Sequence, residues 1–499
     1  MGKSLFLGID VGTSSVKICI FNSDGALIRE EARKIFALKP ARGYMEMDLM
    51  DIKAKTLDLL KSIVCGYENN IISIGFSVTS PTLVLFDKNL DPLKHGILYL
   101  DNRSTKEVAK FTEAIGGKEE YFNYVGNTPS PSTCLPGIIN WIQNHEPDTW
   151  QKTYKFGYLN SYLASILTGK LAVDPTTTSY SGLVKVADPY HWDEKLVSIA
   201  NIEKSKLPDI IAPYEEVGTL KDDIAQYLGL PQGLPIAVGS ADTAASSLAL
   251  GLKKHGDAFE NIGTSEVLTF CLDKPILNKA FMNRCHVIPG LWLAHGAMST
   301  TGAAINWVKD NLFIELSDVT FIEKEALISK PGANGLIFLP YLSGERSPVF
   351  DPDTCGVFFG LNLNSKRCDI VRAVYEGAGY GIKQLYIIAQ EEWNVEPEFI
   401  RCVGGAAKSK LVLQIRSDVL NQQYRSMEII NASAYGAAML GAVAAKYFDI
   451  LEVPYCKSYT ETIHPNPENQ KIYDANYKIY KNLYPGLSEL MHQQARMRE

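Results

Sequence analysis

The sequence predicts an α/β protein of two large domains, and three observations carry that expectation. The chain has 499 residues, too many for one ordinary hydrophobic core. Short apolar, strand-like runs alternate with longer stretches of helical periodicity along its length. A Gly-Thr-Ser-x-Val pattern at 12–16 recurs at 263–267, 251 residues further on, each time in a polar turn between apolar runs. The recurrence points to a duplication in which each half opens its sheet on the same hairpin. The boundary then falls near 248–257, giving domains 1–250 and 251–499.

Composition narrows the class. With 46% hydrophobic and 21% charged residues the chain should fold throughout. A net charge of −7 disfavours nonspecific binding to nucleic acid or an anionic membrane, and no basic stripe with interleaved aromatics stands out. Nine scattered cysteines without a C-x-x-C pair fit reduced thiols better than a disulfide frame or zinc site. With neither a leader pattern nor a run of about 18 apolar residues, a cytoplasmic location is expected.

The first element is a hairpin, with apolar residues 5–9, a polar tip and alternation again at Val16, Ile18 and Ile20. Gly12, Thr13 and Ser14 carry little side chain, so backbone N–H groups can approach an anion and the hydroxyls add donors. Asp10 cannot bind phosphate but suits Mg²⁺, directly or through water. An ordinary hairpin with a polar tip fits the same residues. A polar loop at 42–48 precedes a helix over 49–64 and a buried strand over 71–76, whose end, 77–82, is where an α/β sheet presents a ligand loop. Strands at 84–86 and 96–100 follow, the second running into Asp101 and Arg103. Residues 104–168 read as mostly helical, with Gly169 as a cap, and 174–181 as a polar loop.

A buried strand at 233–239 leads into a small-residue helix over 240–252, with Asp242 at the junction, where an N-cap is the usual role for an aspartate. The second hairpin spans 261–270, strand-like residues 292–302 end at Gly302, and a helix runs on through Trp307. After a strand at 336–340 and a turn-rich charged segment at 343–352 comes a helix over 369–384. The strand 400–403 opens onto Gly404, Gly405 and Ala406 before a helix over 410–420, a site suited to a nucleotide. An Ala/Gly-rich helix over 431–445 and peripheral C-terminal helices complete the chain.

In this order the motifs resemble the FGGY family of carbohydrate kinases, of the sugar kinase, Hsp70 and actin superfamily. They are Gly8-Ile-Asp-Val-Gly-Thr-Ser14, Gly43-Tyr-Met-Glu-Met-Asp48, Asp101-Asn-Arg103, Gly239-Ser-Ala-Asp-Thr243, Asn261-Ile-Gly-Thr-Ser265, Gly344-Glu-Arg-Ser-Pro348 with Gly356-Val-Phe-Phe-Gly360, Gly404-Gly-Ala-Ala-Lys-Ser409 and Gly436-Ala-Ala438. The resemblance implies two actin-like (ribonuclease H-like) domains, each a mixed sheet flanked by helices, closing over a cleft where ATP and a sugar or polyol meet. It makes Asp242 the general base that accepts a proton from the substrate hydroxyl as the bond to phosphorus forms. It places Asp10 on Mg²⁺ or its waters, Thr13 and Lys17 near the γ-phosphate, and Thr264 and Ser265 on the β/γ-phosphates, with Gly12, Ser14, Gly263 and Gly302 also among the nucleotide-binding residues. Gly404, Gly405 and Ala406 match the adenosine turn. Lys17 also fits a solvent-facing strand position.

Three positions depart from the family pattern. Ala406 replaces a glycine, which costs nothing if its φ is negative. Glu266 replaces a small residue and must turn away from the phosphates or meet a cation. Asn431 stands where Glu is usual. On the acceptor side Ser80 and Pro81 occupy the positions where xylulose kinases carry Met and His, so a donor imidazole has become a ring with no donor. Asp101 and Arg103 fit sugar-hydroxyl contacts, or an ion pair ending a strand. The function expected is ATP- and Mg²⁺-dependent phosphorylation of a small sugar, a ketopentose such as xylulose first. A polyol, a signalling sugar of the autoinducer-2 kind, or a non-catalytic ATP-binding sensor are the alternatives, and a homodimer is left open.

Overall fold

The computed structural model describes residues 4–315 and 318–497. The predicted hairpin is the strand pair Leu5–Val11 and Ser15–Asn22. Leu5–Val11 also pairs in parallel with Ile71–Val78, and Ser15–Asn22 pairs antiparallel with Leu27–Lys34. Strands Glu216–Thr219, Pro235–Ala237 and Ser240–Ala241 complete a seven-stranded sheet. The second half repeats the plan. Ala258–Ile262 pairs antiparallel with Glu266–Leu272 and parallel with Ile400–Val403, and Glu266–Leu272 pairs antiparallel with Trp292–Met298. Both sheets are mixed and flanked by helices, as expected of the two-domain α/β class.

Local chemistry explains the element ends. Asp48 N-caps the helix Leu49–Ile63, its carboxylate accepting from the backbone N–H groups of Met50 and Asp51 at 3.0 and 3.1 Å. Gly169 ends the helix Leu159–Thr168 in the left-handed region, as predicted. The helix Ala432–Ala444 is built from small residues and packs against the strands Leu5–Val11 and Ile71–Val78 of the first sheet. The strands therefore segregate along the chain by halves, whereas the packing crosses between them.

Three expectations are corrected. Residues 104–168 also contain the strand Lys155–Tyr158, four residues whose pairing with Thr82–Phe86 supplies what periodicity over so short a run cannot. Residues 174–181 are no exposed polar loop. Pro175–Thr178 is a buried helical turn, its hydroxyls satisfied locally and by the buried Asp174, which accepts from the Thr177 N–H at 3.1 Å. Beyond residue 445 the described chain holds the strand Tyr459–Ile463, paired with Tyr424–Met427, and one helix, Pro467–Arg496, with Tyr473, Tyr480 and Leu483 buried in the second domain's core.

Candidate active site

The register of the first sheet brings the acidic residues together. Asp10 pairs across to Ser77, and Ser240 pairs to the same Ser77 from the other side, so Asp10 and Asp242 stand at the same end of the sheet, where the strands that flank Ile71–Val78 in parallel finish. Ser77 Oγ donates to Asp10 Oδ1 at 2.7 Å. Burial pushes the Asp10 carboxyl up to about 6. The Ser77 hydroxyl opposes that rise, the Asp242 carboxylate adds to it, and Ser433 and Lys17 oppose it.

Asp242 is the first residue of the helix Asp242–Ala249, and Ala241 occupies the N-cap position. Its Oδ1 accepts only from its neighbour Thr243, at 2.6 Å from the backbone N–H and 3.1 Å from the hydroxyl. The N-cap role is thus not the one it fills. Around it stand Tyr99 and Tyr180, whose phenols are raised by burial and, to a smaller degree, by the Asp242 carboxylate. Arg346, from the second domain, opposes the rise at both, which places its cation on the same cleft. Neither tyrosine was singled out in the sequence, since an aromatic at a strand end carries no motif. Arg346 lay inside the matched Gly344–Pro348 stretch, unassigned.

The turn at Gly12, Thr13 and Ser14 has its counterpart at Gly263, Thr264 and Ser265, with one difference. Val11 pairs with Val16 but Ile262 pairs with Glu266, so the second turn is one residue shorter. Because side chains alternate with period two, this slip turns Glu266 inward, where the first hairpin has the half-buried Ser15. There Arg416 holds it bidentately at 2.7 and 2.8 Å, with Glu260 and Tyr424 completing the group. Burial raises Glu260 well above the usual carboxylate range, whereas at Glu266 burial pushes upward but Arg416 and the Glu260 and Thr301 side chains together outweigh it, and the net shift is downward. Glu266 therefore points away from the turn and meets a cation.

Gly302 fixes that turn from the adjoining helix. A Cβ there would lie 2.0 Å from the Gly263 carbonyl oxygen, and the next residue, Ala303, donates to Thr264 O at 2.9 Å. Gly404 has φ +97°, and a Cβ on it would come within 2.6 Å of Ile262 O, so the turn at Gly404, Gly405 and Ala406 abuts the second hairpin. Ala406 is not among the residues with positive φ, and the substitution for glycine is accommodated without strain. Lys17 is neither free nor solvent-facing, because its ammonium donates to Asn431 Oδ1 at the head of the helix Ala432–Ala444. Asn431 also donates to Glu30. All three departures from the family pattern thus have structural partners or a relaxed backbone.

On the acceptor side, Pro81 and Asp101 line one cavity with Tyr99, Ser104, Pro131 and Ser132. Ser80 Oγ donates to Thr177 Oγ1 at 3.2 Å. Arg103 forms the ion pair that the sequence also allowed. Its Nε and Nη2 bond Asp101 at 2.8 and 2.7 Å, Nη2 bonds Glu46 at 2.6 Å, and the guanidinium lies 3.9 Å from the Tyr44 ring centre. Its side chain is 1% exposed. Met45 N and Arg103 N also donate to Asp101, so the pair closes a strand end, with Asp101 on the wall of that cavity. No helix among the described residues is long and apolar enough to cross a membrane.

Comparison with known proteins agrees with this geometry. Residues 5–249 match the N-terminal domain of the FGGY family of carbohydrate kinases, and residues 259–445 match its C-terminal domain. The chain is 30% identical to a xylulose kinase of Staphylococcus xylosus over 486 residues, covering 96% of this chain and 99% of that protein. It is 28% identical to a gluconokinase of Bacillus subtilis over 496 residues, covering 96% and 95%. The crystal structure of a xyloylose kinase from Brucella ovis superposes with a TM-score of 0.91 at 26% identity, covering 97% of this chain and all of that one. With both domains matched in sequence and structure, the chain belongs to the FGGY family of carbohydrate kinases and is an enzyme that transfers a phosphoryl group from ATP to a sugar.

Proposed function

We propose that the enzyme phosphorylates a hydroxyl of a ketopentose such as xylulose, with Asp242 as general base. The observation that carries this is the Asp242 carboxylate, free of a capping role, at the cleft between two hairpins of phosphate-binding type. The likeness to xylulose kinases supports the choice of sugar. In this reading a sugar hydroxyl hydrogen-bonds to Asp242, loses its proton to it as it attacks the γ-phosphorus, and ADP leaves. Gly12, Thr13 and Ser14 donate to the γ-phosphate from one domain, and Gly263, Thr264 and Ser265 hold the β/γ-phosphates from the other. Gly404, Gly405 and Ala406 receive the adenosine.

Asp10 fits a divalent cation, since burial and the Asp242 charge both disfavour its ionised form and a dication would relieve them. Mg²⁺ held there would offset phosphate charge. Lys17 acts on the same region through its bond to Asn431. Arg346 sets a second cation on the cleft, and closing the domains would exclude the water that wastes ATP. A cytoplasmic location and a homodimer complete the proposal, the latter to be checked by sedimentation.

A second acceptor, an aldonate such as gluconate, draws support from the likeness to gluconokinase. The experiment is Asp242→Asn in a coupled ADP-release assay with xylulose. A loss of about 10²- to 10⁴-fold in kcat is expected for a missing general base. A near-normal rate would show that another group takes the proton.

A further inference from the structure

Arg284 is a buried cation that the scheme above leaves unused. It extends from the strand Met282–Cys285 of the second domain into the first, and only 4% of its surface is exposed. Its Nη1 donates to Thr176 O at 2.7 Å and to Ser80 Oγ at 3.4 Å, and the guanidinium lies 4.0 Å from the centre of the Tyr180 ring. Among the described residues no carboxylate lies within ion-pair distance of it, and its buried Nε has no hydrogen-bond partner. The buried Asp174 carboxylate feels its charge without pairing with it, and a guanidinium taken out of water with an N–H left unbonded is costly, so the position calls for a further oxygen to complete its shell.

Its location says which oxygen. Thr176, whose carbonyl it bonds, accepts on Oγ1 from the Ala241 N–H at 2.9 Å, and Ala241 precedes Asp242. Ser80, its other partner, lies two residues beyond Val78, which pairs with Ala241. Arg284 therefore sits between the acceptor loop and the strand end that presents Asp242. At the two departing positions of the loop the Ser80 hydroxyl is given to Thr177 and Pro81 has no N–H.

We propose, resting on the kinase reading of this cleft, that Arg284 is the acceptor-specificity residue and donates to an sp² oxygen of the sugar. The carbonyl of a ketose and the carboxylate of an aldonate both supply one. A planar guanidinium presents N–H donors in a fixed fork, which matches the in-plane lone pairs of such an oxygen. The alditol offers only a hydroxyl there, which must place its own proton elsewhere, so it is discriminated against by the group it leaves unsatisfied.

The test uses the full chain with MgATP and three acceptors, namely xylulose, xylitol and gluconate, for wild type, Arg284→Met and Arg284→Lys. The wild type is expected to prefer xylulose or gluconate over xylitol by about ten- to a hundredfold in kcat/KM. Which of the two it prefers identifies the source of the oxygen. Arg284→Met should bring that preference to within about threefold, chiefly through KM for the sugar, while KM for ATP stays within about twofold. Arg284→Lys should recover part of it. An equal loss on all three acceptors, or a parallel rise in KM for ATP, would mean a structural role and overturn the proposal. If the wild type turns over none of them, the ketopentose and aldonate reading of the acceptor fails separately, and calorimetric titration with xylulose and gluconate decides Arg284. Binding weakened at least tenfold in Arg284→Met upholds the proposal, and binding that is absent or unchanged overturns it.

Discussion

Arg416→Met is the most searching test of how the second phosphate hairpin is held. Arg416 and Glu266 have side chains 4% and 0% exposed and meet through two bonds of 2.7 and 2.8 Å, with Glu260 beside them. Methionine fills much of the arginine volume, so the loss is of charge and donors more than of packing. Glu266 is then a buried carboxylate without a cation next to Glu260, a situation that costs about 3–5 kcal/mol. For a domain of this size that corresponds to a fall of about 6–20 °C in Tm. The pH dependence has a definite sign. In the wild type the folded Glu266 carboxyl is lowered, a stabilisation present above the unfolded carboxylate pKa and lost as pH falls through the lowered value. Without Arg416 burial would raise it, so the variant loses stability as pH rises through the carboxylate range. The deficit should therefore be larger at pH 8 than at pH 5, and Glu266→Gln added to Arg416→Met should recover part of it. Calorimetry of the full chain at both pH values is the assay. A Tm within about 2 °C of wild type at pH 8, or a deficit independent of pH, would refute the reasoning.

Other outcomes follow from the same geometry. Because Asp10 titrates at about 6, protons compete with a bound cation, and the thermal stabilisation by MgATP should shrink between pH 7.5 and pH 5.5. Asp10→Asn should remove the pH dependence, and a full shift persisting at pH 5.5 would count against the metal role. Gly302→Ala pushes a methyl group to 2.0 Å from Gly263 O, so KM for ATP should rise by about tenfold or more with little change in KM for the sugar; unaltered ATP kinetics would mean the turn yields freely. Arg103→Met should lower Tm by several degrees, since it leaves Asp101 and Glu46 buried without their cation. Its KM for the sugar should stay within about threefold, and a selective rise there would restore the sugar-contact assignment.

The two-domain plan, both hairpins and the position of Asp242 were legible in the sequence because each rests on local signals. Alternation, turn residues and a repeated five-residue pattern survive in a single chain without knowledge of its partners. What a side chain does at the end of such an element depends on what arrives from elsewhere. Asp242 read as a cap from its neighbours and as a base from the family motifs, and the chain geometry gave the cap position to Ala241. Glu266 read as a threat to the phosphates until a turn one residue shorter faced it inward towards Arg416, 150 residues away. Asp101 and Arg103 fitted a ligand contact or an ion pair, and only the structure showed Glu46 and Tyr44 closing around the ion pair. Arg284 and Tyr180 carried no signal at all, because a lone arginine on a strand becomes informative only once its burial and its unbonded Nε can be seen. The sequence by itself determined the elements, their order and the family of chemistry, since these follow from periodicity and short-range conformational preference. Only the tertiary structure decided which charged groups are paired and which face the cleft, since ion pairing and desolvation are set by neighbours far apart in the chain.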